Sequence, residues 1–310
     1  MVLRHALLSA SQSEAMKAMA TNNPFASGVV SRFVAGETVE DAVRVAGELS
    51  AAGLHCTIDH LGEDITDEDR ANKNADTYIR LLAELGEADL TDRAEVSVKL
   101  GSIGQALPDN GAAIALENAR RICAAAAELD TTVTIDAEDH TTIDDTLAAV
   151  AVLREEYPAT GAVLQAYLKR TMDDAKKLST QGSRVRLCKG AYAEHSDVAY
   201  QSRQDIDLAF VRALKVLMHG KGYPMIATHD PRLVDISAAL AVRTSRERSS
   251  YEYQMLYGVR PEEQRRLASL GERVRVYVPF GSQWYAYLVR RMAEKPANLG
   301  LFIKALSSKY

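Results

Sequence analysis

Two adjacent arginines near the carboxyl end of the chain are the first candidates for chemistry. Residues 284–295 read WYAYLVRRMAEK and precede a proline, which cannot continue a helix. On a helix, residues three and four positions apart are neighbours, so Glu294 lies one turn from both Arg290 and Arg291, and Tyr287 lies one turn before them. Two guanidinium groups beside a carboxylate suit bidentate binding of a small carboxylate ligand. A solvated row of ion pairs is the alternative for this helix.

A second group of polar residues alternates with apolar residues along five short segments. Successive side chains of a strand point to opposite faces, so one face of each segment is apolar and the other carries a polar group. In a barrel core that inner face is usually Val, Ile or Leu. A rim charge paired with a neighbour explains any single exception, but five together favour a polar ligand cavity. The residues are Lys99, Asp136 with Glu138, Gln165, Arg186 and Tyr277.

Metal chemistry is a weaker interpretation of some of the same residues. Asp136, Glu138 and His140 alternate at strand spacing, and His229 could complete a metal site, so a metal-dependent barrel hydrolase stays open as an alternative. The sequence has only seven histidines, and we expect no bound metal. A third interpretation is a non-catalytic barrel that binds a small acid through the two arginines. The absence of a GxGxxG motif disfavours a nicotinamide enzyme of the Rossmann type.

The scaffold that must position these residues is an alternation of short apolar runs and amphipathic helices. Such an alternation predicts a parallel sheet, and the number of repeats predicts an α/β fold of the closed (β/α)8 type. The run at 31–36 is the shortest and carries no informative polar residue, so we place it outside the barrel. The eight predicted barrel strands are 55–62, 95–101, 132–139, 161–168, 184–190, 223–230, 251–258 and 274–281, and the clearest helices are 38–51, 111–129, 142–156 and 205–219.

Composition and charge narrow the class of protein. The chain has 310 residues, of which 47% are hydrophobic and 25% charged, as in a packed globular protein. Its net charge of −5 argues against a nucleic-acid partner, and no apolar run approaches the roughly 18 residues of a membrane span. Three cysteines without CxxC spacing suit a reducing cytoplasm. We predict an N-terminal helical arm and lead-in segment over 1–50 and one catalytic barrel over 51–310.

The order and spacing of six motifs give the chain a specific resemblance. Together they extend over nearly the whole predicted barrel, from about residue 55 to residue 300. In this order they resemble the motifs of monofunctional bacterial proline dehydrogenases, an FAD-dependent family with a distorted (β/α)8 barrel. The motifs are SVKLG at 97–101, IDAED at 135–139, LQAYLKR at 164–170, RLCKGAY at 186–192, ATHD at 227–230, and YVPFG with YLVRRMAE between 277 and 294.

The resemblance implies an activity and its partners. The family oxidises L-proline to 1-pyrroline-5-carboxylate, the first step of proline catabolism, by hydride transfer from C5 of proline to N5 of FAD. Electrons then pass to a quinone, which leaves open peripheral contact with the inner face of the cell membrane. The short apolar stretch 298–306 could serve that contact or pack under the barrel. A chain of this length leads us to expect a separate pyrroline-5-carboxylate dehydrogenase.

The same resemblance implies roles for the polar residues around the substrate. The proline carboxylate would be held by three cations, and tyrosines would line the ring, with Asp136 organising the site next to Lys99. Arg186 and Tyr277 would act closest to the reaction. A gate over the substrate would pair Glu63 with Arg291, although the adjacent Asp64 is an alternative. The substrate residues implied are Lys99, Asp136, Tyr192, Leu256, Tyr277, Tyr287, Arg290 and Arg291.

A further set of residues is implied for the cofactor. Arg186 would lie near N5 of the flavin, and Gln165 would lie near its pyrimidine edge. The residues that follow Arg186 in the RLCKGAY motif would lie along the FAD. The cofactor residues implied are Gln165, Arg186, Cys188, Lys189, Gly190, Ala191, Thr228, His229 and Glu294.

Two positions bear on how closely the chain follows the family. Position 188 is Cys where the family usually has an aliphatic residue, and a buried Cys packs as a small hydrophobe. Tyr277 favours proline over hydroxyproline, because relatives that act on hydroxyproline are expected to have a small residue there. A hydroxyproline-type dehydrogenase is therefore the alternative within this family.

Overall fold

The computed structural model describes residues 30–62, 65–285 and 287–288. Its centre is a barrel of eight parallel strands, and each strand lies within one residue of a predicted run or inside it. The ninth candidate, 31–36, contains helical residues followed by coil and does not join the sheet. The strands are β1 (His55–His60), β2 (Ala94–Val98), β3 (Val133–Ile135), β4 (Ala162–Gln165), β5 (Arg184–Cys188), β6 (Tyr223–Ala227), β7 (Glu252–Leu256) and β8 (Val274–Phe280).

Helices alternate with the strands and cover the outside of the barrel, which confirms the predicted α/β architecture. The four helices predicted most clearly are present, with bounds shifted by at most two residues. The α-helices with described bounds are α1 (Val39–Ala51), α2 (Glu68–Glu87), α3 (Gly111–Glu128), α4 (Ile143–Glu156), α5 (Thr171–Leu178), α6 (Arg203–His219), α7 (Pro231–Arg243) and α8 (Pro261–Ser269).

The helices begin where the sequence supplies capping side chains. Thr38 and Asp41 form a capping box at the start of α1, and Asp67 and Ser202 accept backbone N–H bonds at the starts of α2 and α6. Asp230 does the same for α7, whose first residue is a proline. These caps satisfy backbone donors that a helix cannot pair internally, so the turns after the strands are well defined.

The sheet closes between β3 and β4 at a single glycine. The strand order is β3-β2-β1-β8-β7-β6-β5-β4, so closure must join the two ends of this series. Gly161 accepts from Ile135 N at 2.9 Å and donates to Val133 O at 2.8 Å. A Cβ at Gly161 would lie 2.6 Å from Oγ1 of Thr134, so a larger residue would push the strands apart at this position.

The inner face at the amino end of the strands is charged rather than apolar. Arg184 lies 2.6 Å from Glu95, and Arg275 lies 2.8 Å from Glu252 and 3.7 Å from Glu95, all of them largely buried. Burial acts to raise the pKa of Glu95, but Arg184 and Arg275 outweigh it and hold that pKa at about 2. The base of the barrel is therefore filled by an ion network, which we call the basal network, in place of the usual branched side chains.

The segments before β1 and after β8 lie beside each other. Ala35 N donates to Pro279 O, and Gly281 N donates to Gly36 O, both at 2.9 Å. Trp284, in a helical piece that follows β8, donates from its indole nitrogen to Glu37 at 2.8 Å. In the part of the chain that the structure describes, no helix is long and apolar enough to cross a membrane.

Candidate active site

A buried ion pair lies at the carboxyl end of the barrel, where β1 and β2 end. Nζ of Lys99 is 2.6 Å from Oδ2 of Asp59, and the two side chains are only 12% and 1% exposed. Burial raises the pKa of Asp59, and the nearby Lys99 opposes that rise. Lys99 follows the last residue of β2 and Asp59 is next to last in β1, so the inner-face alternation of the two strands brings them together.

Tyr277 of β8 connects this pair to β3. Its hydroxyl donates to Oδ2 of Asp136 at 2.7 Å, and Nζ of Lys99 lies 3.5 Å from the same hydroxyl. Burial, together with the adjacent carboxylates of Asp136 and Asp59, raises the pKa of Tyr277 well above its ordinary value. Tyr277 therefore remains a neutral hydrogen-bond donor over the whole physiological range of pH.

Arg186 of β5 occupies the middle of the barrel and is 4% exposed. Its Nη1 donates to Asp136 Oδ1 at 2.5 Å and to Ser97 Oγ at 2.8 Å, and its Nε donates to Gln254 Oε1 at 2.5 Å. Its guanidinium carbon lies 5.3 Å from the ring centroid of Tyr277. Within the described residues, Nη2 is buried without a hydrogen-bond partner. This donor is therefore available to a ligand at the centre of the barrel.

Tyr78 reaches the site from helix α2, outside the barrel wall. Its hydroxyl donates to the carbonyl of Ser97 at 2.9 Å, accepts from the backbone N–H of His60 at 3.0 Å, and lies 3.4 Å from Asp59. Burial raises the pKa of Tyr78 well above its ordinary value, so it too stays protonated. Tyr78 thus holds the ends of β1 and β2 in place around the ion pair of Asp59 and Lys99.

Gln165 and Glu138 link the ends of β4 and β3. Nε2 of Gln165 donates to the carbonyl of Glu138 at 2.7 Å, and the carboxylate of Glu138 accepts from the backbone N–H of Gly101 at 2.8 Å. Both side chains are buried. Glu138 therefore positions the loop after β2 through a backbone contact.

The segment after β5 is held by charges and by a glycine. Nζ of Lys189 contacts Asp207 at 2.5 Å and Asp230 at 3.2 Å. Gly190 has a φ of +102°, and a Cβ there would lie 2.2 Å from the ring of Tyr167, so only glycine fits. Near it, the thiol of Cys188 donates to a carbonyl of β4 at 3.6 Å. Ala191 is exposed at the carboxyl end of the barrel, which we call its mouth.

The ends of β6 and β7 are joined through a histidine. Nε2 of His229 accepts from the backbone N–H of Leu256 at 2.8 Å, so this nitrogen carries no proton and Leu256 is fixed next to it. Thr228 is buried, and its hydroxyl accepts from the backbone N–H of Asp230 at 3.2 Å. The structure therefore brings these two predicted cofactor residues and Leu256 to adjoining positions.

The remaining predicted residues divide into two groups. Tyr192 is half-buried against a small apolar cluster around Tyr167 and Leu168, and Tyr287 is buried in the helical piece after β8. Four other predicted residues lie outside the residues that the structure describes, namely Glu63, Arg290, Arg291 and Glu294. The apolar stretch 298–306 also lies outside them.

Comparison with known proteins identifies the family. The family model described as proline dehydrogenase matches residues 42–302. The chain belongs to the proline dehydrogenase family. Proline dehydrogenase 1 of Bacillus subtilis subsp. natto is 38% identical over 99% of this chain and 100% of its own length. Proline dehydrogenase of Deinococcus radiodurans is 38% identical over 89% of each chain.

A solved structure supports the fold of this proline dehydrogenase family member. Proline utilization A from Bdellovibrio bacteriovorus superposes with a TM-score of 0.81 at 23% identity. The match covers 92% of this chain and 34% of that protein. At this level of identity the likeness concerns the fold, and it agrees with the eight-stranded barrel described above.

The structure does not assemble the residues of the hydrolase alternative into one metal site. Asp136 contacts Arg186 and Tyr277, Glu138 binds a backbone N–H, His140 pairs with Glu194, and His229 accepts from β7. Among the described residues, no group of three or more His, Cys, Asp or Glu side chains could hold a metal ion. Membership of the proline dehydrogenase family argues against the hydrolase independently.

Sequence reasoning missed three inner-face strand residues of the candidate site of this proline dehydrogenase family member. Asp59 is the described ion-pair partner of Lys99, and Ser97 and Gln254 both bind Arg186. The signal that could have found them is the same alternation that identified Lys99 and Tyr277. Asp59, Ser97 and Gln254 are polar residues inside otherwise apolar or β-branched runs.

Proposed function

We propose that this protein oxidises L-proline to 1-pyrroline-5-carboxylate with FAD as its bound cofactor, as the first step of proline catabolism. The observation that carries the proposal is the donor Nη2 of Arg186, buried and without a partner among the described residues. An unsatisfied buried donor costs free energy unless a ligand accepts from it. An acceptor atom of a flavin at the mouth of the barrel would satisfy this donor.

FAD would supply a two-electron acceptor that takes a hydride from C5 of proline at its N5 atom. The residues of this chain would bind and orient it. Arg186 contributes a fixed positive charge, and the backbone after β5 runs along the mouth of the barrel beside Tyr167. The residues proposed to hold the cofactor are Gln165, Arg186, Cys188, Lys189, Gly190, Ala191, Thr228, His229 and, outside the described residues, Glu294.

Substrate binding is proposed to rest on cations around the proline carboxylate. Lys99 is held at the site by Asp59, and Arg290 and Arg291 would complete the group. A hydride leaves C5 readily only when the ring nitrogen is neutral and can share its lone pair. Neighbouring cations disfavour the protonated ring nitrogen, so they anchor the substrate and also favour its reactive form.

The rest of the proposed substrate site closes around the ring. Tyr192, Tyr277, Tyr287 and Leu256 would line it, and Asp136 would fix Tyr277. Glu63 and Arg291 would form the gate over the bound proline. Electrons would leave to a quinone at the membrane, in a cytoplasmic protein with peripheral contact, and a separate pyrroline-5-carboxylate dehydrogenase would oxidise the product.

Anaerobic titration of the purified protein tests this proposal. We expect a yellow preparation whose flavin absorbance is bleached by L-proline, with formation of pyrroline-5-carboxylate. Arg186→Met should retain less flavin or bleach far more slowly, whereas the matched change Arg120→Met, at a partly exposed ion pair of helix α3, should behave as wild type. A colourless protein that binds no added FAD and forms no pyrroline-5-carboxylate would contradict the proposal.

A further inference from the structure

Gln254 of β7 lies between the basal network and Arg186. Its Oε1 accepts from Nε of Arg186 at 2.5 Å, and its Nε2 donates to Oε1 of Glu252 at 2.6 Å. The side chain of Gln254 is buried, as are those of Glu252 and Arg186. Both ends of the amide are therefore engaged, and no bulk water competes for them.

The direction of the amide is fixed by chemistry. A carboxylate only accepts hydrogen bonds, so the NH2 group of Gln254 must face Glu252 and its oxygen must face Arg186. Burial acts to raise the pKa of Glu252, but Arg275 at 2.8 Å outweighs it and lowers that pKa, which keeps Glu252 ionised. Glu252, kept ionised by Arg275, and Arg186, which can only donate, thus both require the same direction of the Gln254 amide.

The same contact restricts the guanidinium of Arg186. Nη1 is bound by Asp136 and Ser97, and Nε is bound by Gln254, so two of its three nitrogens are fixed. Only Nη2 has no partner among the described residues. Without the bond to Nε, the plane of the guanidinium could turn about the contacts of Nη1, and the direction of Nη2 would no longer be set.

We infer that Gln254 is a positioning residue of the reaction, oriented by the Glu252–Arg275 pair and aiming Nη2 of Arg186 at the cofactor. The inference rests on the proposed function, because it assigns a purpose to Arg186 beside a flavin. It also goes beyond the proposed function. It requires that the potential of the flavin depend on Gln254, a side chain placed to contact Arg186 and neither the substrate nor the cofactor.

Gln254→Met tests this inference, since it nearly preserves volume and removes both amide groups. We expect kcat to fall about 10-fold or more, because a small misplacement of a catalytic group is costly. KM for L-proline should change less than about threefold, since the carboxylate-binding residues are untouched. The midpoint potential of the bound flavin should become more negative, because a displaced cation stabilises the reduced flavin less.

Asn118→Leu is the matched control. Asn118 is also a buried amide, but its Nδ2 bonds Asn72 and the carbonyl of Ile103, away from Arg186. It should lower the thermal midpoint without moving the flavin potential. A Gln254→Met variant with wild-type potential and kcat, or one that loses only stability as Asn118→Leu does, would overturn the inference.

Two further measurements cover a variant that folds or binds FAD poorly. Gln254→Glu retains an oxygen facing Nε of Arg186, and when protonated on its other oxygen it can still donate to Glu252, so it should keep more of kcat than Gln254→Met. In the apoprotein, a double-mutant cycle of Gln254→Met with Arg186→Met should show coupling in unfolding free energy, and additivity would refute the contact. If wild-type protein neither holds flavin nor oxidises proline, the proposed function fails; if it does both and Gln254 has no effect, only this inference fails.

Discussion

Tyr277 and Arg186 are held by the two oxygens of one carboxylate, that of Asp136. Tyr277 donates to Oδ2 at 2.7 Å, and Arg186 donates to Oδ1 at 2.5 Å. The guanidinium carbon lies 5.3 Å from the centroid of the tyrosine ring. Asp136 therefore fixes a neutral donor and a cation relative to each other, and a change in either is transmitted to its partner.

Replacing Tyr277 with serine should relax the preference for proline. The smaller side chain leaves room for a ring hydroxyl, so the ratio of kcat/KM for hydroxyproline to that for proline should rise about 10-fold. Tyr277→Phe is the control, because it keeps the ring and removes only the hydroxyl that binds Asp136. Steady-state kinetics with both substrates measure the ratio, and an unchanged ratio in Tyr277→Ser would reject the role assigned to the ring.

Lys99→Met should weaken proline binding and also destabilise the fold. Because Lys99 is proposed to hold the proline carboxylate, its loss should raise KM for proline about 10- to 100-fold. The variant also leaves Asp59 buried without the cation that lies 2.6 Å away, so its thermal midpoint should fall. Adding Asp59→Asn should recover stability but not KM, whereas the exposed change Lys176→Met should affect neither. If Asp59→Asn restored both the thermal midpoint and the KM of Lys99→Met, Lys99 would act only through folding.

Glu95→Gln should remove part of the acid sensitivity of the fold. The pKa of Glu95 is held at about 2 in the folded protein against an ordinary value of 4.5. The stability it contributes is therefore fully present above pH 4.5 and is lost as the pH falls toward 2. At pH 7, Glu95→Gln should cost about 3–5 kcal/mol, because it leaves Arg184 without a buried counter-charge.

Thermal unfolding from pH 2 to pH 7 measures this effect. The curve of Glu95→Gln should be flatter than that of wild type below pH 4.5. Glu117→Gln, which changes an exposed partner of Arg120, is the control and should follow the wild-type curve. Identical slopes for Glu95→Gln and wild type would contradict the role given to the basal network.

Two half-buried histidines should make the protein less stable in mildly acidic solution. Burial lowers the pKa of His55 and of His60 from 6.5 to about 4 in the folded state. The unfolded chain takes up these protons more readily, so stability falls as the pH drops from 6.5 toward 4. His60→Gln should reduce this fall in the thermal midpoint, while the change His219→Gln, at an exposed helix end, should not. An equal fall in all three proteins would assign the effect to other groups.

The positions of the strands and the inner-face location of several candidate site residues were accessible from the sequence because alternation in a strand is a local property. Lys99, Arg186 and Tyr277 each interrupt an apolar run, so their inner-face position could be read without a structure. The short motifs that resemble those of proline dehydrogenases contain these same three residues. A (β/α)8 barrel then places the carboxyl ends of all eight strands at one rim.

The pairings inside the barrel were not accessible, because they depend on the register between strands that are distant in sequence. Asp59 and Lys99 meet because β1 and β2 pair in parallel with Asp59 opposite Ser97. Asp136 accepts hydrogen bonds from Tyr277 of β8 and from Arg186 of β5. From residue type and spacing alone, several acidic residues could have paired with Lys99.

The basal network bears on how this barrel can be redesigned. Hydrogen bonds and ion pairs run without interruption from Glu95 through Arg275, Glu252 and Gln254 to Arg186. Substitutions along this column should be epistatic, since members of one network do not contribute additively. A library that varies residues at the mouth while keeping the base constant would sample only the arrangements that the existing base allows. Engineering a new substrate preference would therefore have to diversify both ends of the barrel together.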